Sequence, residues 1–113
     1  MSDIIRIRRR PGLWTVRAGG AVLGESDAVL ELSEGERPDV FYFPREDLAM
    51  AFFEPSPTRT SSAKLGEASF YSLRTKSTLI EDAAWSYEAP PEAAARIAGY
   101  VSFDPAKVTV EET

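Results

Sequence analysis

The sequence predicts a mainly β domain, α+β by count, in which two small antiparallel sheets pack tent-like or as a partly open barrel. Short apolar runs separated by turn residues recur along the chain, and several alternate with polar residues at the period of two that strands show. A single segment near the end of the sequence has the pattern of a short helix. At 113 residues the chain fits one domain, covering residues 1–113.

The first part of the chain is predicted to form strands separated by glycine-containing turns. Ile5 and Ile7 alternate with charged residues, as expected for a half-buried strand. Ala18-Gly19-Gly20 separates two apolar runs and predicts a hairpin, because glycine tolerates positive φ. The strands expected here cover residues 5–7, 13–17, 21–23, 28–32 and 40–43, the last of them buried on both faces.

The middle of the chain combines a helical turn near residues 44–50 with a loop. Pro44 fixes φ, and the acids at 46 and 47 favour the positive end of a helix dipole. Residues 48–53 fit an extension of that turn or a strand equally well. Pro55-Ser56-Pro57 is expected to end the run, and residues 58–65 have no regular apolar period. We therefore predict a loop at 58–65, a kind of segment that often carries function.

The last part of the chain is predicted to contain a hairpin, the short helix and two final strands. Residues 68–75 and 78–87 flank Lys76-Ser77 and form the hairpin. Pro90-Pro91 precedes the C-terminal helix at 92–98, and Gly99 ends it. Strands at 100–103 and 108–110 close the sequence.

Composition excludes several kinds of chemistry. The chain has no Cys and no His, so disulfides, thiolate nucleophiles and zinc bound by sulfur or imidazole are excluded, and we predict no cofactor and no metal site. A net charge of −5 argues against nucleic acid as a partner. Four arginines, at positions 6, 8, 9 and 10, fit a solvated strand edge, with a nucleic-acid or anion site as the alternative.

The chain has no apolar segment typical of a secretory leader or of a membrane span. We therefore expect a cytoplasmic location, no membrane partner, and a monomer or homodimer.

Three sequence blocks resemble the bacterial family called domain of unknown function 427. They are Phe43-Pro44-Arg45-Glu46-Asp47, Gly66-Glu67-Ala68-Ser69-Phe70-Tyr71-Ser72 and Glu81-Asp82-Ala83-Ala84-Trp85-Ser86-Tyr87. The C-terminal helix and the strand 99–103 extend the similarity, which runs from about residue 13 to residue 111. The resemblance implies a mainly β, tent-like fold similar to methionine sulfoxide reductase B and the thalidomide-binding domain of cereblon. Those proteins often hold zinc, which this chain cannot bind through Cys or His, and the resemblance implies no established activity.

The chain departs from the family pattern, which resembles Thr-x-Cys-Pro-x-Lys-Gly-x-Ala-x-Tyr, in the middle of the sequence. Thr60, Gly66 and Ala68 match it. The departures are Ser62 in place of Cys, Ala63 in place of Pro, Leu65 in place of Lys and Phe70 in place of Tyr, with Lys64 one position early. If the family works through the thiolate or the lysine, this member is impaired. If those residues only pack, nothing follows, and both interpretations stay open.

The predicted hairpin supplies a candidate ligand-binding face. With Thr75 opposite Leu79, Tyr71 lies opposite Ala83 and Ser69 opposite Trp85, and all of these side chains share one face with Leu73 and Glu81. Aromatic rings, a carboxylate and a hydroxyl suit a small amphipathic ligand. The alternative is that Trp85 and Tyr71 are core residues. Arg45, beside two acids, is either a local ion-pair partner or an anchor for a carboxylate or phosphate.

Three functions stay open. The first is a small-molecule or peptide binding domain, and the residues assigned to its pocket are Arg45, Thr60, Ser62, Lys64, Tyr71, Glu81 and Trp85. The second is a metal-free enzyme in which Glu67 or Glu81 acts as acid or base. The third is a protein–protein interaction module that works through a sheet edge or an apolar patch.

Overall fold

The structure is a computed structural model that describes residues 4–113, and it confirms that the chain is mainly β. It contains ten strands in this part of the chain. They are β1 Ile5–Arg9, β2 Trp14–Ala18, β3 Ala21–Ser26, β4 Leu30–Glu34, β5 Val40–Tyr42, β6 Phe53–Ser62, β7 Gly66–Arg74, β8 Leu79–Tyr87, β9 Val101–Phe103 and β10 Thr109–Glu112. Three short 3₁₀ segments accompany them, at Arg45–Asp47, Met50–Phe52 and Glu92–Ile97.

The strands form three antiparallel sheets, where the sequence predicted two. Sheet I has the order β1-β4-β5, sheet II β10-β2-β3 and sheet III β6-β7-β8-β9, and none of them closes into a barrel. Sheet II depends on a pairing between distant parts of the sequence. Residues 109–112 of β10 pair with residues 14–17 of β2. Local sequence patterns do not report a pairing between strands so far apart, so the third sheet was not predicted.

Two hydrophobic cores lie on opposite faces of sheet III. In the first core, Val16 and Leu23 of sheet II pack with Ala84 and other residues of sheet III. In the second, Leu32 and other residues of sheet I pack with Tyr87. Ala84 and Tyr87 are three positions apart in β8, and side chains an odd number apart in a strand point to opposite faces. Sheet III is therefore the shared middle layer of the fold.

The predicted hairpin at Gly19-Gly20 is confirmed, and a backbone bridge ties sheet I to sheet III. Gly19 and Gly20 have φ of 57° and 80°, as a tight turn between antiparallel strands requires. The bridge lies just after β5, where the Phe43 amide donates to the Val101 carbonyl (2.8 Å) and the Val101 amide donates to the Phe43 carbonyl (2.9 Å). Phe43 is fully buried at this junction.

The prediction of a loop at residues 58–65 is wrong for residues 58–62, because β6 runs through both prolines to Ser62, and it holds only for the turn at 63–65. β6 is the edge strand of sheet III, where a missing proline N–H on the outer side breaks no ladder bond. The register also shifts between Pro55 and Arg59, and the Ser56 hydroxyl accepts a hydrogen bond from the Thr58 amide at 3.1 Å. An edge position and a bulge together accommodate the prolines.

The predicted C-terminal helix at 92–98 is also wrong, since Glu92–Ile97 is 3₁₀ with a kink at Ala94. Hydrogen bonds run from the Ala94 amide to Pro91 and from the Ala98 amide to Ala95, the i to i+3 spacing of a three-residue turn. Ala94 and Ile97, also three apart, are the residues that this segment buries. A segment this short is shaped by packing rather than by helix propensity. The turn predicted near 44–50 is likewise two separate 3₁₀ turns.

The hairpin of β7 and β8 forms where it was predicted, but in a different register. Tyr71 lies opposite Ala84 and Leu73 opposite Ile80, so the pairing is one residue off on each side of an irregularity. At this bulge Asp82 has a φ of 50°, and its amide donates to the Ser72 hydroxyl at 3.1 Å. A slip of one residue exchanges the two faces of a strand. Trp85 consequently pairs with Phe70 rather than Ser69.

Candidate functional site

A cleft with a volume of about 360 Å³ lies between the inner face of sheet I and one face of sheet III. Sheet I contributes alternate residues of β4 and β5, because Leu32 lies opposite Val40 and both strands turn the same face inward. Sheet III contributes residues of β6, β7 and β8. The residues that line the cleft are Leu32, Glu34, Arg37, Pro38, Val40, Tyr42, Thr60, Ser61, Ser62, Leu65, Ala68, Phe70, Trp85 and Tyr87.

Four aromatic rings form much of the cleft wall. Phe70 and Trp85 are directly paired across β7 and β8, with ring centroids 5.9 Å apart, and both are half-buried. Tyr42 and Tyr87 are buried, at 1% and 9% exposure. The wall therefore combines two enclosed tyrosines with two rings that still face open space.

The hydroxyl side of the cleft comes from the end of β6. Thr60 pairs with Ala68, which places its side chain on the same face as Phe70 and Trp85. The Ser62 hydroxyl accepts hydrogen bonds from the amides of Lys64 (3.3 Å) and Leu65 (3.2 Å). Ser62 thus fixes the turn into β7 as serine commonly does. Its oxygen is engaged by the backbone, which disfavours its use as a nucleophile.

A tight turn brings two opposite charges to the cleft. The Arg37 amide donates to the Glu34 carbonyl at 3.1 Å, and Gly35 within the turn has a φ of 57°. Both Glu34 and Arg37 line the cleft. Within residues 4–113 neither side chain forms an ion pair, although five other pairs form in that range. The turn therefore presents one carboxylate and one guanidinium that form no ion pair with any residue from 4 to 113.

The tyrosines of the cleft keep their protons to unusually high pH. Burial raises the pKa of Tyr42 well above its usual range; a hydrogen bond from the Trp85 side chain offsets this in part, and Tyr87 and the Glu34 charge add to the increase. Burial also raises the pKa of Tyr87, with the Glu34 charge as the second cause. Glu34 lines the same cleft as both tyrosines.

We expect the free energy of unfolding to fall as pH rises above about 10, the usual tyrosine pKa. The folded state retains protons that the unfolded state releases, so this contribution is complete below pH 10 and is lost above it. Each such group gives a slope of at most about 1.4 kcal/mol per pH unit. Urea unfolding followed by circular dichroism from pH 8 to pH 11 measures the slope. Tyr42→Phe should make it shallower, and an unchanged slope would contradict this account.

The structure divides the predicted site residues between different surfaces. Thr60, Ser62 and Trp85 line the cleft together. Tyr71 lies opposite Ala84, on the other face of sheet III, as the corrected register requires. Arg45 also lies on that other face, with its guanidinium 5.8 Å from the Tyr71 ring.

Arg45 joins three parts of the chain on that face. Its Nε donates to the Gly99 carbonyl at 3.1 Å, and its Nη2 donates to the Ser86 hydroxyl at 3.2 Å and pairs with the Glu88 carboxylate. Partial burial acts to raise the pKa of Glu88, but hydrogen bonds from Ser86 and Arg45 and the Arg45 charge outweigh it and lower that pKa. These contacts engage Arg45 within the protein, but its ion-pair partner is the distant Glu88 and not the acids at positions 46 and 47 that the local interpretation assumed.

Arg45→Met is expected to lower the free energy of unfolding by about 1.5–3 kcal/mol, the usual contribution of hydrogen bonds to a charged group. Chemical denaturation at pH 7 measures this loss. Arg17→Met is the matched control, because the ion pair of Arg17 with Glu111 is exposed on both sides and such pairs contribute about 0–1 kcal/mol. A loss from Arg45→Met no larger than the control loss would show that these hydrogen bonds are not structural.

The remaining predicted residues lie outside the cleft. Lys64 is in the turn between β6 and β7. Glu67 is exposed on β7, and Glu81 is exposed at the bulge of β8, beside a separate depression formed with residues 54–58. Glu67 and Glu81 lie near opposite ends of the hairpin, about 20 Å apart by strand geometry. They do not form a carboxylate pair, and no cluster of three metal-ligating side chains occurs among residues 4–113.

The cleft residues that sequence reasoning missed include both charged groups and three of the four aromatic rings, which are Glu34, Arg37, Tyr42, Phe70 and Tyr87. The alternation of Leu30 and Leu32 with polar residues was a usable signal, because the same parity extends to Glu34. Arg37 had no such signal, since it lies in a turn. Phe70 and Tyr87 depended on the register of the hairpin, which a bulge changes.

The basic segment at the start of β1 is mostly engaged by the protein itself. Arg8 and Arg10 each approach the buried Glu31 carboxylate at 3.4 Å, and Arg9 donates to the Asp27 carbonyl at 2.9 Å. Three of the four arginines thus have partners within the chain, which favours the strand-edge interpretation. Across residues 4–113 no helical segment has the length and apolar character that crossing a lipid bilayer requires.

Comparison with known proteins identifies a family. A search of curated proteins found no match to the chain. A family model described as a domain of unknown function (DUF427) matches residues 6–113, almost the whole chain. The match confirms the resemblance seen in the three sequence blocks. The chain belongs to the DUF427 family.

Proposed function

We propose that this protein binds a small organic molecule with a flat apolar body in the cleft between sheets I and III. The observation that carries the proposal is the meeting of four aromatic side chains around about 360 Å³ of open space. Rings in a domain of this size normally fill the core, yet Phe70 and Trp85 remain half-exposed here. Mostly apolar walls with a few polar groups are typical of small-molecule sites.

The size of the cleft narrows the class of ligand. A volume of about 360 Å³ is at the small end of the range for ligand pockets, about 300–1,000 Å³. This favours a compact molecule over a dinucleotide or a folded protein partner. The rings of Phe70 and Trp85 offer a surface for stacking, and Thr60 offers a hydroxyl for hydrogen bonding.

The departures from the family pattern support an apolar ligand. Ser62, Leu65 and Phe70 all line the cleft, and they stand where the pattern resembles Cys, Lys and Tyr. Leu65 in place of Lys removes a charge from the cleft wall, and Phe70 in place of Tyr removes a hydroxyl. We infer that these positions determine ligand preference, and that this chain prefers a less polar body than a family member with the full pattern.

A binding function fits these residues better than catalysis. Glu67 and Glu81 lie outside the cleft, and the Ser62 oxygen accepts two backbone amides. The groups that remain in the cleft are suited to holding a molecule, since none of them forms a nucleophile–base pair.

A thermal-shift screen of the purified protein against small aromatic metabolites tests this function, with tryptophan fluorescence followed in parallel. A ligand at a hundredfold excess over its dissociation constant should stabilise the fold by about 2.7 kcal/mol. Trp85 faces the cleft and Trp14 is buried elsewhere, so bound ligand should change the fluorescence emission of Trp85. The Trp14→Phe variant, in which Trp85 is the remaining tryptophan, should show the same change in emission. A folded protein that no compound stabilises would contradict the proposal.

A further inference from the structure

We propose that the cleft selects a zwitterion, a molecule whose apolar body carries an ammonium and a carboxylate at one end. The inference rests on the proposed binding function and adds the charges that the ligand must have. Of the described residues that line the cleft, two are charged, Glu34 and Arg37, and their charges are opposite. They supply one acceptor for a cation and one donor for an anion within a single turn.

The turn holds the backbones of these two charged residues at a fixed spacing. Its hydrogen bond joins the Arg37 amide to the Glu34 carbonyl, Gly35 allows the left-handed backbone, and Pro38 follows directly. Glu34 belongs to the end of β4, where Ile5 is its strand partner, so its backbone is also fixed by sheet I. A ligand that meets both charges therefore finds their backbone positions preorganised, which lowers part of the entropic cost of binding.

The absence of an ion pair between Glu34 and Arg37 is the second observation. Residues three apart in a tight turn can reach each other, yet the described contacts include no pair between Glu34 and Arg37. Elsewhere in the described chain Arg45 pairs with Glu88 and Arg74 with Glu54. Glu34 is half-buried in the cleft wall with Tyr42 and Tyr87, while Arg37 is exposed at the rim.

The chemistry of the neighbouring side chains assigns each end of the ligand. An ammonium near Glu34 lies beside the aromatic wall of the cleft, so cation–π attraction adds to the ion pair. A carboxylate turned to the rim can accept two parallel N–H bonds from the Arg37 guanidinium. A ligand with one charge leaves the other residue unsatisfied or repels it, and this mismatch supplies the selectivity.

Four related probes test the inference by titration calorimetry at pH 7 and low salt. They are phenylalanine, phenylethylamine, 3-phenylpropanoate and the neutral 2-phenylethanol, which share a ring and differ in charge. We expect phenylalanine to bind at least about tenfold more tightly than each of the other three, the effect of about 1.4 kcal/mol. If 2-phenylethanol bound as tightly as phenylalanine, the zwitterion proposal would be wrong and the proposed binding function would still hold. If none of the four probes bound, the zwitterion proposal would be wrong. The thermal-shift screen against small aromatic metabolites would then decide whether the cleft binds a small molecule at all.

Single substitutions separate the two charges. Glu34→Gln should weaken phenylalanine and phenylethylamine about tenfold and leave 3-phenylpropanoate unchanged or tighter. Arg37→Gln should weaken phenylalanine and 3-phenylpropanoate about tenfold and leave phenylethylamine unchanged or tighter. Glu36→Gln is the matched control, because Glu36 is exposed in the same turn and does not line the described cleft. Circular dichroism confirms that each variant is folded. If Glu34→Gln or Arg37→Gln changes binding of phenylalanine no more than Glu36→Gln, the assignment is wrong.

Discussion

Phe43→Ala is expected to lower the free energy of unfolding by about 3–5 kcal/mol, the largest stability effect that we predict for a single side chain. Phe43 is fully buried, and its ring packs edge-on against Phe103 at a centroid distance of 5.7 Å. The backbone bridge to Val101 holds the main chain in place, so the surroundings can collapse only partly into the space left by the ring. A domain with a total stability of about 5–15 kcal/mol would be close to unfolding.

Urea denaturation at 25 °C and pH 7 measures this loss through the shift of the midpoint at constant slope. Leu79→Ala is the control, because Leu79 is an apolar strand residue that is 41% exposed and should contribute much less. A loss below about 1 kcal/mol for Phe43→Ala would show that the junction between sheets I and III does not depend on this ring.

Trp85→Ala is expected to weaken binding of the cleft ligand by at least about 30-fold, the effect of removing a central aromatic hot spot worth 2 kcal/mol or more. Trp85 lies opposite Phe70 on one strand and Ser102 on the next, so its indole stands in the middle of sheet III. Its side chain also lines a second cavity of about 320 Å³ on the far side of residues 38–40. Removing the indole would therefore open the two cavities to each other and leave the ligand without its stacking partner.

Calorimetry measures the loss, since Trp85 itself is the fluorescent reporter. Trp14→Phe provides the comparison, because Trp14 packs against Phe41 in the first core and does not line the cleft in the described chain. Circular dichroism must show that Trp85→Ala is folded at the temperature of the titration. Unchanged affinity in a folded Trp85→Ala protein would place the ligand elsewhere on the molecule.

Local patterns were sufficient to predict most of the strands. Ile5 and Ile7 alternate with arginines, and β1 is the half-buried strand that this alternation indicates. Gly19 and Gly20 are a strong hairpin signal, since few other residues adopt two successive positive φ values. In both cases the information lies within a few neighbouring residues.

The sheets and the hairpin register could not be predicted, because they depend on contacts between distant residues. The bulge in β8 requires the Ser72 hydroxyl to meet the Asp82 amide and the Thr58 hydroxyl to meet the Asp82 carboxylate. Two of these three residues looked like ordinary strand residues, and Thr58 appeared to lie in a loop. The resulting slip of one position moved Tyr71 away from Trp85.

The candidate site was predicted in part for the same reason. Trp85 was identified by its type and by its place in a strand, and Thr60 and Ser62 by the family pattern. The partners of Trp85 in the cleft, Tyr42 and Tyr87, follow from the packing of sheet I on sheet III. A short sequence pattern finds residues on one strand, but it does not show which face of another sheet will cover them.

The pairing of β10 with β2 constrains how the protein can fold as it is synthesised. Sheet II needs residues 109–112 beside residues 14–17, so β10 is synthesised long after β2. Until those residues leave the ribosome, Trp14, Val16 and Leu23 have an incomplete sheet around them and present apolar surface. Closing a loop of this length also slows folding. The protein should therefore depend on rapid synthesis of the segment from β2 to β10, or on a chaperone, to avoid association of its nascent chains.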